Sequence, residues 1–168
     1  MIKPFHSMSL QLAGPGVIIY SPSMALNIKE EEDYFSIHYE SDRDVQRHIQ
    51  DGSIVGFGTG SPGDFHFDMF YGYPEDELLK RSEFKLRLGI RNIDGRIIFR
   101  DIYDLLNWHT WVPEQQIAAI PMGIYHITMC SNMPPTGVLG DHQHVSIYFN
   151  LLNEYPKLAV EGIPHLCT

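Results

Sequence analysis

The sequence lacks the features that mark membrane-spanning and disulfide-stapled secreted proteins. Its longest apolar runs, such as Ile117 to Ile120, fall far short of the roughly 20 residues that a helix needs to cross a bilayer. The N-terminal residues do not form the unbroken apolar stretch of a signal peptide. Only two cysteines occur, Cys130 and Cys167, whereas small secreted domains are usually held by several disulfides. These absences predict a soluble protein of the cytoplasm without a membrane partner.

Basic residues are also scarce. The chain carries 12 Lys and Arg against 21 Asp and Glu, a formal charge of −9 at neutral pH. Because proteins neutralise nucleic-acid phosphates with Lys and Arg, this balance argues against nucleic acid as a direct partner. It is compatible with a protein partner of basic character, although an acidic excess also simply keeps proteins soluble.

The length of 168 residues fits one domain. No repeat, low-complexity tract or linker divides the chain. We therefore expect a single domain over residues 1–168, with residues 1–15 and 155–168 as peripheral extensions.

Helical patterns are few, and alternation of apolar and polar residues, which is typical of half-buried strands, is frequent. The alternating segments are Tyr34–Glu40, Asp64–Tyr71, Phe84–Arg91 and His142–Leu151. This composition predicts a mainly β fold: an antiparallel two-layer β-sandwich, or a partly open barrel, with one or two short helices.

Local signals predict the helices and one hairpin. Ser41 or Asp42 is expected to cap a helix over Arg43–Gln50 that Gly52 stops, and a second short helix is expected over Asp101–Asn107. The sequence Asn92-Ile93-Asp94-Gly95 is typical of a tight turn, so it predicts an antiparallel hairpin between Phe84–Arg91 and Arg96–Arg100.

Histidines and aspartates suggest a metal-site hypothesis. His142 and His144 would share one strand face, as would His66 and Asp68, and two such strands side by side could bind Zn, Fe, Ni or Mn. The simpler interpretation is that these side chains are solvated on an outer sheet face, because no third ligand has diagnostic spacing. We therefore expect no metal and no cofactor, and keep a metal-dependent enzyme as an alternative.

That alternative would be cupin-like. Pro121–His126 matches the second cupin motif, Pro-x-Gly-x-x-His, but Cys130 replaces its later Asn. The motif with two histidines, His142-x-His144, also follows this segment, although it should precede it. We interpret Pro121 and Gly123 as a turn entering a strand.

No spacing typical of a nucleophile, a phosphate loop or a pair of catalytic acids occurs, so we expect no catalytic residue and lean against an enzyme. The remaining candidates are dense acidic runs, which would steer a cationic partner, and two tryptophans in a non-strand loop. The sequence favours neither of two interpretations for the tryptophans, an interface hot spot or a position in the core. The predicted partner-binding residues are Glu30, Glu31, Glu32, Asp33, Glu75, Asp76, Glu77, Trp108 and Trp111.

The order of several segments between about residues 34 and 152 resembles the competence protein J family, a small bacterial family of nuclease inhibitors. The segments are Asp51–Ile54, Gly63–Phe67, Phe84–Arg91, Gly95–Phe99 and Ile120–Ile127. The resemblance implies an acidic, non-catalytic protein that binds a nuclease or a comparable toxic enzyme. It identifies no inhibitory residue.

Together these observations favour a bacterial binding module, inhibitor-like or immunity-like, whose acidic surface meets a basic partner such as a nuclease. A structural homo-oligomer, such as a homodimer whose unpaired sheet edges meet, is a further alternative.

Overall fold

The computed structural model describes residues 2–168, and the strands of this range form two sheets. The five-stranded sheet has the order β1-β4-β9-β8-β5, and the four-stranded sheet has the order β3-β2-β6-β7. All neighbours are antiparallel except β4 and β9, which are parallel. The strands are β1 His6–Leu12, β2 Gly16–Tyr20, β3 Ile54–Gly58, β4 Gly63–Tyr71, β5 Phe84–Asn92, β6 Arg96–Asp101, β7 Ile117–Ala119, β8 Gly123–Ser131 and β9 Gln143–Leu152.

Three α-helices accompany the sheets, which is one more than the upper limit of the sequence prediction. They are α1 Tyr34–His38, α2 Asp42–Asp51 and α3 Asp76–Arg81. Short 3-10 turns occupy Pro22–Ala25, Ile102–Leu106 and Glu114–Gln116. Within residues 2–168, no helix combines the length and the apolar character needed to cross a bilayer.

The two sheets pack face to face around an aromatic core. In β4, alternate side chains point inward, so Phe65, Phe67 and Met69 are buried while His66 and Asp68 are only partly covered. The rings of Phe67 and Phe99, which belong to different sheets, have centroids 5.8 Å apart. The predicted mainly β, two-layer architecture is confirmed, and the sheets do not close into a barrel.

Helix α2 follows from its local sequence. The Ser41 hydroxyl accepts a hydrogen bond from the Asp44 amide at 3.1 Å, as an N-cap does. Gly52 ends the helix at φ 65°, a left-handed conformation that a residue without a Cβ adopts at little cost. The predicted helix is confirmed, with the expected Ser41 cap and Gly52 stop, and it extends one residue further at each end than predicted.

The predicted strand over Tyr34–Glu40 is wrong, because most of this segment forms α1. The Asp33 carboxylate accepts a hydrogen bond from the Ser36 amide at 3.0 Å and caps the first turn. Tyr34 and Tyr39 are buried, whereas Ile37 is 64% exposed. The buried residues therefore do not follow the period of two on which the strand prediction rested.

The predicted hairpin between β5 and β6 is also wrong. β5 pairs with β8 in one sheet, and β6 pairs with β2 and β7 in the other. The side-chain amide of Asn92 donates to the Ile120 carbonyl at 2.8 Å, and its oxygen accepts from the Gly95 amide at 3.0 Å. The Asp-Gly turn thus forms a corner where the chain crosses between sheets.

Asp94 fixes this corner to the start of the Pro22–Ala25 turn. Its carboxylate accepts hydrogen bonds from the Ser21 hydroxyl at 2.6 Å, from the Ser23 amide at 2.7 Å and from the Ser23 hydroxyl. Burial raises the pKa of Asp94, but these hydrogen bonds outweigh it and hold the pKa below its usual value. The ionised carboxylate therefore stabilises the fold at neutral pH, and this contribution is lost as the pH falls through the lowered pKa.

We expect Asp94→Ala to lower the free energy of unfolding by about 2 kcal/mol, because three hydrogen bonds to a charged acceptor are lost. Urea unfolding at pH 7 measures this change. Glu83→Ala, at an exposed position, is the matched control and should change stability by less than about 0.5 kcal/mol. Equal stability of the two variants would contradict the role assigned to Asp94.

The two terminal segments are both attached to sheets. β1 is the edge strand beside β4, with Ser9 opposite His66 and Ser7 opposite Asp68. Near the C-terminus, the Gly58 amide donates to the Pro164 carbonyl and the Leu166 amide donates to the Gly58 carbonyl, both at 2.8 Å.

Candidate functional site

The first predicted acidic run lies directly against the loop that carries the two tryptophans. The Glu31 amide donates to the Trp108 carbonyl at 2.6 Å, and the Trp108 amide donates to the Glu32 carbonyl at 3.0 Å. Sequence reasoning nominated Glu30–Asp33 and Trp108–Trp111 separately. The structure brings the two segments into direct contact.

Glu30 is the side chain that joins the two segments. Its carboxylate accepts from the Thr110 amide at 2.9 Å, from the Thr110 hydroxyl at 2.8 Å and bonds the His109 ring at 2.8 Å. These hydrogen bonds lower the pKa of Glu30 to about 2, and the bond from the Thr110 amide has the largest effect. Glu30 is therefore ionised at any physiological pH, and it organises the loop as well as charging it.

The rest of the run is organised in a similar way. The Glu32 carboxylate accepts from the Lys29 amide at 2.8 Å, and Asp33 caps α1. The hydrogen bond from the Ser36 amide lowers the pKa of Asp33. Glu31 has a positive φ of 64° and is exposed, and its carboxylate makes no hydrogen bond to residues 2–168. The run is thus an ordered acidic turn with Glu31 projecting from it.

The two tryptophans have opposite environments. Trp108 is 2% exposed, and its ring lies 4.3 Å from the Arg100 guanidinium carbon and 5.5 Å from the Tyr20 ring. Trp111 is 76% exposed. Trp108 therefore supports the loop from inside, whereas Trp111 is exposed to solvent.

An apolar pocket lies beside the acidic turn. Its volume is about 160 Å³, and its lining includes Leu26, Ile28, Trp108 and Thr110. Leu26 is 80% exposed. We call Glu30–Asp33, Trp111 and Leu26 the acidic–tryptophan surface. It combines fixed negative charge with two exposed large apolar side chains, a composition suited to a protein contact.

The second predicted acidic run lies at the start of a short helix beside the five-stranded sheet. Glu75, Asp76 and Glu77 are exposed at the start of α3. Helix α3 is joined to β5 of the five-stranded sheet by the Lys85 ammonium group, which donates to the Leu79 carbonyl at 3.0 Å. Glu75–Glu77 therefore accompany the five-stranded sheet and do not belong to the acidic–tryptophan surface.

A separate cluster of His and Asp side chains lies on the outer face of the five-stranded sheet. The parallel register pairs His66 with His144, and Asp68 follows His66 on the same face. One ligand atom from each of these three residues lies within 4.8 Å of the others. The sequence left open whether these side chains meet, and the structure brings three of them together.

Close backbone contact holds β9 in this register. The Asp64 amide donates to the Gly140 carbonyl at 2.7 Å, and a Cβ at Gly63 would collide with the Gly140 backbone. His142 follows in a left-handed conformation with φ 50°. It lines the same open pocket as His66 and His144, about 670 Å³ in volume, but is not within the 4.8 Å cluster.

The segment that matches a cupin motif does not join this cluster. His126 bonds the Tyr73 hydroxyl at 2.8 Å on the outer face of β8. Burial, together with the charge of Arg87, lowers the pKa of His126. Pro121 and Gly123 precede and begin β8, as the turn interpretation predicted.

Comparison with solved structures identifies two similar folds. ComJ from Bacillus subtilis, described as an inhibitor of the DNA-degrading activity of NucA, has 12% identity and a TM-score of 0.50, covering 90% of this chain and 99% of that chain. The product of crocagin biosynthetic gene J has 10% identity and a TM-score of 0.51, covering 85% and 96%. No protein-family model and no curated protein sequence matches the chain. The resemblance to competence protein J is confirmed at the level of the fold.

Proposed function

We propose that this protein is a non-catalytic, inhibitor-like module that binds a basic protein, such as a nuclease, through the acidic–tryptophan surface. The observation that supports this proposal is that an ordered acidic turn is hydrogen-bonded to the loop that carries the exposed Trp111. Similarity in fold to ComJ, an inhibitor of a nuclease, supports the same class of function.

The carboxylates and the exposed apolar side chains of this surface would contribute to binding in different ways. Fixed carboxylates would raise the rate of encounter with a cationic partner, and this steering weakens as salt screens exposed charges. Trp111 and Leu26, which are 76% and 80% exposed, would lose water-exposed apolar area on binding and slow dissociation. Glu75–Glu77 would act as a secondary acidic patch that contributes only long-range attraction.

We also propose a cytoplasmic location. Both cysteines are free and buried, and burial raises the pKa of the Cys167 thiol to about 11. Such thiols are inert at neutral pH and fit a reducing compartment.

The test measures binding and inhibition with purified DNA-degrading nucleases of basic character from the same genome. We expect Trp111→Ala to weaken the complex roughly 30-fold, the size of an interface hot spot of about 2 kcal/mol. Glu31→Lys should slow association and reduce its salt dependence. The steps are biolayer interferometry at low and high salt, followed by a DNA-degradation assay.

Glu154→Lys is the matched control, because Glu154 is exposed, carries the same charge and lies outside the surface. It should bind like the unaltered protein. Equal loss of binding in Glu154→Lys and Glu31→Lys would place the effect in net charge alone and contradict the proposed surface. Absence of any complex at both salt concentrations, with dimers found by light scattering, would favour the homo-oligomer instead.

A further inference from the structure

The outer face of the five-stranded sheet carries a constellation that protein binding at the acidic–tryptophan surface does not use. We propose that His66, Asp68 and His144 form a binding site for one divalent transition-metal ion, with Zn²⁺ as the best fit. Four properties of the cluster support such a site: its geometry, its ligand types, its supporting hydrogen bonds and its access to solvent.

The geometry is close to that of a bound site. His66 Nε2 lies 3.2 Å from Asp68 Oδ1, and the three ligand atoms are all within 4.8 Å of one another. Ligands about 2.1 Å from a tetrahedral Zn²⁺ are separated by roughly 3.4 Å. The His66–Asp68 pair already has this spacing, and the ligand atom of the exposed His144, at most 4.8 Å from the other two, would have to move closer to complete the site.

The donor set selects the class of ion. Two imidazoles and one carboxylate suit Zn²⁺ and its first-row neighbours, whereas Mg²⁺ and Ca²⁺ prefer sites made of oxygen alone. Zn²⁺ fits best because it accepts tetrahedral coordination by three protein ligands and one water. A fourth position facing solvent is therefore expected.

Two serines of the neighbouring edge strand β1 form hydrogen bonds with two of the ligands. Ser9 Oγ is 2.9 Å from His66 Nδ1, and Ser7 Oγ donates to Asp68 Oδ1 at 2.5 Å. The tautomer in which Nδ1–H donates to Ser9 leaves Nε2 with a free lone pair directed at the cluster. Such outer hydrogen bonds orient metal ligands in known sites, and their loss usually weakens binding about 10–100-fold.

The site is accessible from solvent. The open pocket of about 670 Å³ over the cluster is lined in addition by Gln11, Asp64 and His142. These polar groups share the pocket with His66 and His144, where a water or an external ligand would complete the coordination shell. An ion can therefore enter without any movement of the backbone.

The experiment titrates ZnCl₂ into untagged protein by isothermal calorimetry at pH 7.5 and records the visible spectrum with Co²⁺. We expect one ion per chain with a Kd of about 1 μM or tighter, and the absorption bands of tetrahedral Co²⁺. His144→Ala and Asp68→Asn should weaken binding at least about 100-fold, and Ser9→Ala about 10-fold.

His126→Ala is the matched control, since it removes a histidine from the outer face of the same sheet outside the cluster. It should leave the Zn²⁺ affinity and the Co²⁺ spectrum unchanged. Unaltered circular dichroism of every variant would show that the fold is retained. Binding that is absent, substoichiometric or insensitive to His144→Ala would overturn the proposal.

Discussion

Replacing Arg100 with methionine is expected to lower the free energy of unfolding by about 3 kcal/mol and to loosen the loop that carries Trp111. Arg100 is 4% exposed, which is rare for a charged residue without several partners. Its Nε donates to Asp104 at 2.8 Å, and one terminal nitrogen donates to the His109 carbonyl at 2.7 Å. Its guanidinium also lies over the ring of Trp108.

The expected loss of stability depends on what happens to the groups that Arg100 contacts once its side chain is replaced. Asp104 keeps 39% of its side chain exposed, so water can solvate it after Arg100 is gone. Methionine refills most of the aliphatic volume, which limits the cavity. The main losses are the hydrogen bond to the His109 carbonyl and the contact with Trp108, and both lie under the acidic–tryptophan surface.

Urea unfolding measures the stability of each variant. The fluorescence of Trp108 reports whether the loop still shields this ring from water. The fluorescence experiment uses a Trp111→Phe background, so that all tryptophan emission comes from the buried ring. A red shift in the folded state of Arg100→Met would report water reaching Trp108. Arg47→Met is the control, because Arg47 is 59% exposed in a pair with Asp44 at 3.6 Å and should contribute under about 1 kcal/mol. Equal stabilities of the two variants would contradict the anchoring role of Arg100.

Features of the fold that depend on neighbouring residues could be predicted from the sequence. Helix α2 was predicted at both ends because Ser41 and Gly52 act within one turn of the residues they cap. The inward faces of β4 and β9 were predicted because alternation directly reports burial on one side. The strand prediction for Tyr34–Glu40 is wrong because the alternation there does not follow burial, and the segment forms a helix capped by Asp33.

Features that depend on pairing between distant segments could not be predicted. Asn92–Gly95 has the chemistry of a hairpin turn, but Asn92 and Asp94 bond to segments about 28 and 73 residues away and make it a corner between sheets. The meeting of His66 with His144 depends on a parallel pairing 78 residues apart in sequence, shown by the register of β4 and β9. No local pattern reports a register of that kind. The burial of Trp108 likewise involves a distant residue, Tyr20, whose ring lies 5.5 Å from the Trp108 ring.

Replacing Phe67 with alanine is expected to lower the free energy of unfolding by about 4 kcal/mol, a large share of the 5–15 kcal/mol typical of a domain. Phe67 is fully buried in β4, where it is paired with Met8 on one side and Val145 on the other. Its ring also contacts Phe99 across the two sheets. Truncation therefore leaves a cavity at the junction of both layers, and few neighbours can move to fill it.

The adjacent outer face supplies the comparison for Phe67. Phe70, also in β4, stacks on Tyr148 with ring centroids 4.9 Å apart but remains partly exposed. Phe70→Ala should therefore cost only about 1 kcal/mol, and Phe67→Leu about 1–1.5 kcal/mol. Urea unfolding of the three variants gives the ranking directly. If Phe67→Ala cost no more than Phe70→Ala, the two sheets would not share the core described above, because the inward face of β4 would then be no more important than its outer one.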